Sequence, residues 1–178
     1  QQPIGSWNRT FVKSSTDVGA PHKTSIPHAH FLNNMRIAMV TWEYPPHMVG
    51  GLGTYAGAMV PALRSAGHEV EVFSALRNDI SAPADGTHWA RVLGLPSAYE
   101  AIPNQGASSW GLFLSELYSA NLYWADAIRR QHRAAPFDIL AIHDWLAAPC
   151  ALMLSQHINV PIVLHIHSTE WGRQPDTP

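Results

Sequence analysis

Three short stretches of this chain hold residues that could do chemistry. The first is Val49-Gly50-Gly51-Leu52-Gly53. Glycines let a backbone turn tightly and let a ligand approach its amides. If a helix begins there, its dipole and open N–H groups suit a phosphate or a sugar oxygen. The spacing matches neither the usual dinucleotide fingerprint nor a P-loop, and a plain tight turn also accounts for it. The second stretch is His143-Asp144-Trp145. A carboxylate there can accept from ligand hydroxyls, and an indole face can carry a sugar ring. Asp144 could equally cap a following helix, and the two roles can coexist. The third is His165-Ile166-His167-Ser168-Thr169-Glu170. In a strand, alternation puts His165 and His167 on one side. His167 lies nearer the carboxyl end and is the better candidate to face a ligand, whereas His165 reads as a hydrogen-bonded core histidine. These types also ligate zinc-like ions, so a metal-dependent hydrolase built on His165, His167, His143 and Asp144 is a rival reading.

The elements that must position these residues follow from periodicity. Arg36 to Thr41 is a short apolar run, read as a buried strand, and a Pro- and Gly-rich loop follows. Leu52, Tyr55, Ala56, Met59 and Leu63 then recur at helical spacing, with Pro61 expected to kink the helix and Gly67 to end it. Glu69 to Ser74 reads as a second strand and Trp89 to Leu95 as a third. Trp110, Phe113, Leu114, Leu117, Ala125 and Ile128 mark a long helix ending near His132. Asp138 to Ile142 is another strand, Leu146 to Gln156 a helix, and Val160 to His167 a last strand.

Short apolar strands alternating with amphipathic helices predict an α/β fold, a parallel sheet with helices on both faces. In such sheets ligands bind outside the carboxyl ends of the strands. All three stretches fall at those ends.

Composition narrows the function. The 178 residues suit one domain, and 46% apolar content excludes a disordered chain. A net charge of -2 gives no electrostatic case for nucleic acid. The lone Cys150 sits in an apolar stretch and reads as a buried, inert thiol. No apolar run approaches the ~20 residues that span a bilayer, and a cytoplasmic protein is expected. Residues 1–34, rich in Ser, Thr, Pro, Gly and His, read as a flexible extension ahead of a folded domain over 35–178. His28 and His30 could bind a metal as a short tag does, though a solvated tail accounts for them as well.

The block from Met35 to Ser74, with its EYPP, GGLG and GHEV segments, resembles the opening of a retaining GT-B glycosyltransferase of the glycogen/starch synthase type and its bacterial relatives. DILAIHDW and PIVLHIHSTEWGR are similar to the next two blocks of that pattern, in order. The resemblance implies a Rossmann-like N-terminal, acceptor-side half of a GT-B fold. It implies transfer of a sugar, glucose above all, from a donor such as ADP- or UDP-glucose to a glucan or other glycan acceptor, with no cofactor and no metal. By it, His167 is the active-site histidine and Asp144 bonds sugar hydroxyls. Gly50 and Gly51 lie against the donor's phosphates and sugar, Glu43 in the acceptor cleft, and His143 and Trp145 line the substrate site. Glu170 and Arg173 match the motif. Where many glycogen and starch synthases carry Lys ahead of the double glycine, this chain has Met48, which points to the broader bacterial relatives. The resemblance also implies a C-terminal nucleotide-sugar domain that the 178 residues do not include, so the chain alone is expected to be inactive. A non-catalytic remnant or binding module is the alternative.

Overall fold

Alternation along β1 (Arg36–Thr41) feeds two cores at once. Ala38 and Val40 enter one apolar cluster, and Ile37 and Met39 enter another. A strand buried on both faces needs helices above and below it, and the chain supplies them. The computed structural model describes residues 34–48, 50–92 and 107–167. The elements after β1 are α1 (Gly51–Ser65), β2 (Glu69–Arg77), β3 (His88–Val92), α2 (Ala107–Ala134), β4 (Ile139–His143), a single 3-10 turn (Trp145–Ala147), α3 (Ala148–Ser155) and β5 (Ile162–His165). The five strands form one sheet in the order β3-β2-β1-β4-β5, and every pairing is parallel.

The two clusters separate the faces. Ala56 and Val60 of α1 pack on Ile37, Met39, Val70, Val72 and Ala141. On the opposite face, Phe113, Leu117, Trp124 and Ile128 of α2 pack on Ala38, Val40, Phe73, Leu140 and Ile142, with Cys150 and Leu154 of α3 joining them. Trp42, just past β1, meets Phe113 and Trp124 edge-on. The Trp124 indole N–H donates to the Ser74 carbonyl at 3.2 Å and ties α2 to β2. Cys150 is fully buried, and burial pushes its thiol up to about 12, as expected of an inert core group.

Several boundaries differ from expectation, each for a local reason. The α1 helix runs through Pro61 and stops where expected: Gly67, at φ +94°, lets His68 N–H reach the Leu63 carbonyl and its own N–H reach Arg64. The β2 strand is longer than predicted because it also pairs with β3, Phe73 through Arg77 opposite His88 through Val92. The β5 strand is shorter, since its pairing with β4 ends at His143 opposite His165. The residues read as a leader, with His28 and His30, lie outside the described residues apart from Asn34, as do Val49, Glu170 and Arg173. Among the described residues no helix is long and apolar enough to cross a membrane.

Candidate functional site

The strand order fixes where a ligand can enter. From β1 the chain builds outward through β2 and β3, then returns to add β4 and β5 on the other side of β1. The switch point therefore lies between β1 and β4, and the crevice opens beyond their carboxyl ends. The loop after β1, the turn after β4 and the end of β5 all reach it.

After β1 the chain makes a short loop closed by paired backbone bonds between Tyr44 and His47. Glu43 is buried, and its carboxylate accepts from the Gly50 amide at 2.9 Å. A negative group therefore sits against the N-terminus of α1, where the helix dipole favours it. The Gly50 amide is thus occupied by the chain itself. Around Gly51 the space is open, and an added Cβ would meet nothing within 4 Å. Gly53 is the opposite case: a Cβ there would come within 2.9 Å of Met48 Cγ and 3.2 Å of Glu43 Cβ. The glycine run thus divides into a position that leaves room and a position that packing requires.

After β4 the backbone turns sharply at Asp144, which adopts φ +64° and ψ 172°. That region is left almost wholly to glycine. The turn is held from several directions. The Asp144 N–H donates to the His165 carbonyl at 2.7 Å, and the Asp144 carboxylate accepts from the Trp145 N–H at 2.9 Å. Behind it, Asn121 of α2 donates to the Leu117 and Leu146 carbonyls and accepts from the Cys150 N–H, all within 2.7–2.9 Å. Asn121 is fully buried, so these bonds replace water and clamp the turn to the long helix. The only sign of Asn121 in the sequence is a polar residue on the apolar stripe of α2. Asp144 does cap the turn. Trp145 is half-buried and packs edge-on against Phe113 at 6.4 Å between ring centroids.

Three imidazoles share the α1 face of the sheet. His143 and His165 are register partners, and their rings stack at 4.5 Å. Two residues on, His167 reaches back so that its Nε2 lies 3.1 Å from His143 Nδ1. Tyr55 of α1 covers the pair, 5.5 Å from the His143 ring and 4.8 Å from His167. His165 and His167 do share one side of their strand, as alternation requires. Burial pushes His143 down to about 3, with His165 and His167 adding repulsion, so it stays neutral at ordinary pH. Burial and His167 also lower His165. His143 itself is fully buried and turns its Nδ1 toward the exposed His167. The sequence marks Tyr55 only as one of the apolar-period residues of α1. Among the described residues no group of three or more His, Cys, Asp or Glu side chains could hold a metal ion, and His143 and His167 aim their facing nitrogens at each other.

Residues 50–178 match the family described as the glycosyl transferase 4-like domain, which covers well over half the chain. The chain belongs to that family. As a glycosyltransferase 4-like domain it is 32% identical over 145 residues to a glycogen synthase of Mycobacterium tuberculosis, covering 78% of this chain and 35% of that protein. It is 31% identical over 141 residues to an uncharacterized glycosyltransferase of Methanocaldococcus jannaschii, covering 78% of this chain and 32% of the other. The chain therefore spans about a third of the relatives it matches. The fold of the domain is shared with sucrose-phosphate synthase from Thermosynechococcus elongatus, at a TM-score of 0.55 and 15% identity over 82% of this chain and 36% of that one. The doubly wound sheet is thus the N-terminal half of a GT-B glycosyltransferase fold.

Proposed function

We propose that this chain is the acceptor-side half of a retaining glycosyltransferase, and that the whole enzyme moves a hexose, glucose first, from a nucleotide sugar to a glucan or other glycan. The observation that carries this reading is that an open glycine at a helix start, a buried carboxylate on a strained turn and an exposed histidine follow the carboxyl ends of β1, β4 and β5, which are neighbours in one sheet. The name of the mycobacterial relative, a glycogen synthase, favours glucose and a glucan acceptor.

The reaction breaks the bond from the anomeric carbon to the diphosphate oxygen, forms one to an acceptor oxygen, and passes that hydroxyl's proton to the departing diphosphate. It passes through an oxocarbenium-like state, so the site must position two sugars and offset charge on the departing diphosphate. The open space at Gly51 admits the diphosphate to the N-terminus of α1, whose dipole favours negative charge. His167 stands beside the transferred sugar. Asp144 accepts from sugar hydroxyls with the lone pairs its cap bond leaves over. Glu43 acts through the loop, keeping the α1 start in place for an acceptor in the adjoining cleft. Trp145 offers the rim of its half-buried ring.

The test is kinetic, in the complete enzyme, with ADP- and UDP-glucose as donors and a glucan as acceptor. His167→Ala should lower kcat by about 100-fold or more with the fold intact by circular dichroism. The 178-residue chain alone should transfer nothing. Full turnover in His167→Ala would remove His167 from the chemistry, and transfer by the isolated chain would refute the two-half reading.

A further inference from the structure

His143 is the most constrained titratable group in the crevice. It is fully buried, one ring nitrogen faces His167 at 3.1 Å, and the other, Nε2, has no hydrogen-bond partner among the described residues. The titratable groups packed against it are Tyr55 from α1, His165 from β5 and His167 just beyond β5. A neutral imidazole carries one proton, on either nitrogen. With the proton on Nε2, a donor N–H would be buried with no bond partner among the described residues, an arrangement folded proteins rarely tolerate. With the proton on Nδ1, the N–H donates to His167, and Nε2 keeps only a lone pair. The neutrality that burial imposes on His143 leaves only these two states.

We infer that His143 is a positioning residue: its Nδ1–H donates to His167 Nε2, fixes the ring, and leaves Nδ1, the nitrogen not engaged by His143, as the one on which His167 carries its proton. His167 then meets the ligand as an oriented N–H donor rather than as a ring free to exchange tautomers. Tyr55 covers both imidazoles and blocks the ring from swinging away. His165 stacks on His143 and fixes its plane. The inference rests on the proposed role of His167 only where it reaches turnover; the proton assignment stands on the geometry alone.

Two measurements on the complete enzyme decide it. In protein labelled with nitrogen-15 at histidine, long-range proton–nitrogen spectra above pH 7.5 should show both His143 and His167 protonated at Nδ1. His143 protonated at Nε2 would overturn the inference. In kinetics, His143→Phe keeps the ring volume but cannot donate, and should lower kcat about 10- to 100-fold with little change in donor KM. His143→Asn, whose amide nitrogen falls near the place of Nδ1, should recover most of that loss. If His143→Phe does not fold, the spectrum of the unaltered enzyme and the kinetics of His143→Asn still decide. Unchanged kcat in a folded His143→Phe enzyme, alongside an inactive His167→Ala, sinks the positioning role and leaves the proposed function standing. Full activity in His167→Ala sinks the proposed function and leaves the proton assignment to the spectrum.

Discussion

Asp144 holds an unfavourable backbone conformation and a carboxylate at the same place, and the two can be separated. A non-glycine residue at φ +64° and ψ 172° costs about 1–3 kcal/mol. Capping the Trp145 N–H returns about 0.5–2 kcal/mol. Asp144→Gly removes both terms, so its stability should stay near that of the parent or rise. Asp144→Ala keeps the strain and loses the cap, and should be less stable than Asp144→Gly by about 1–3 kcal/mol, the cost of that backbone region. Both variants should lose turnover if the carboxylate touches sugar hydroxyls. Urea melts paired with donor kinetics check this. A fully active Asp144→Gly enzyme would reduce Asp144 to a turn-former, whereas a stable but inactive one separates function from fold at a single residue.

At the scale of elements, the start of α1 makes a similar separation between two glycines. Gly51→Ala adds a Cβ into open space and gains helix propensity of up to about 1 kcal/mol, so stability should hold or rise. If the donor's phosphates approach there, its KM should rise. Gly53→Ala gains the same propensity but drives a Cβ against Met48 and the Glu43 stem, and should melt lower than Gly51→Ala. The reverse order of melting temperatures would show that the loop after β1 yields easily and does not hold the helix start. These elements were largely legible in the sequence, because apolar period and glycine punctuation respond to the same burial that builds the sheet. That Asp144 and His167 follow the carboxyl ends of their strands was legible too, from where the apolar runs stop. What escaped was contact across the fold. Nothing local distinguishes Asn121 as the clamp on the Asp144 turn, or Tyr55 as the cover of two histidines. Nor could the three residues HDW reveal that His143 points inward at His167. Each of those facts depends on the register of β4 against β5 and on which helix lies above it.

At the scale of the whole molecule, the sheet is unevenly covered. Strands β1, β2 and β4 are buried over most of their length, whereas Ile162, Val163 and Leu164 of β5 are 37–49% exposed and Ile166 just beyond is 52% exposed. Val163 and His165 also line an apolar groove of about 320 Å³ that runs past Met39 and Met59 of the α1 face. Both faces of β5 are therefore apolar and open, and one of its edges carries no partner strand among the described residues. A contiguous apolar strand at a sheet edge invites pairing with another chain. The 178-residue chain on its own should accordingly self-associate with rising concentration and bind an apolar dye. Leu164→Lys places a charge on the exposed side of β5 away from the groove and should weaken both effects, while the melting temperature changes little because Leu164 is already half exposed. Sedimentation across a concentration series reads the outcome. If the chain stays monomeric at all concentrations and Leu164→Lys changes nothing, β5 is a tolerated edge. If Leu164→Lys dissolves the association, the open apolar face of β5 is the surface that carries it.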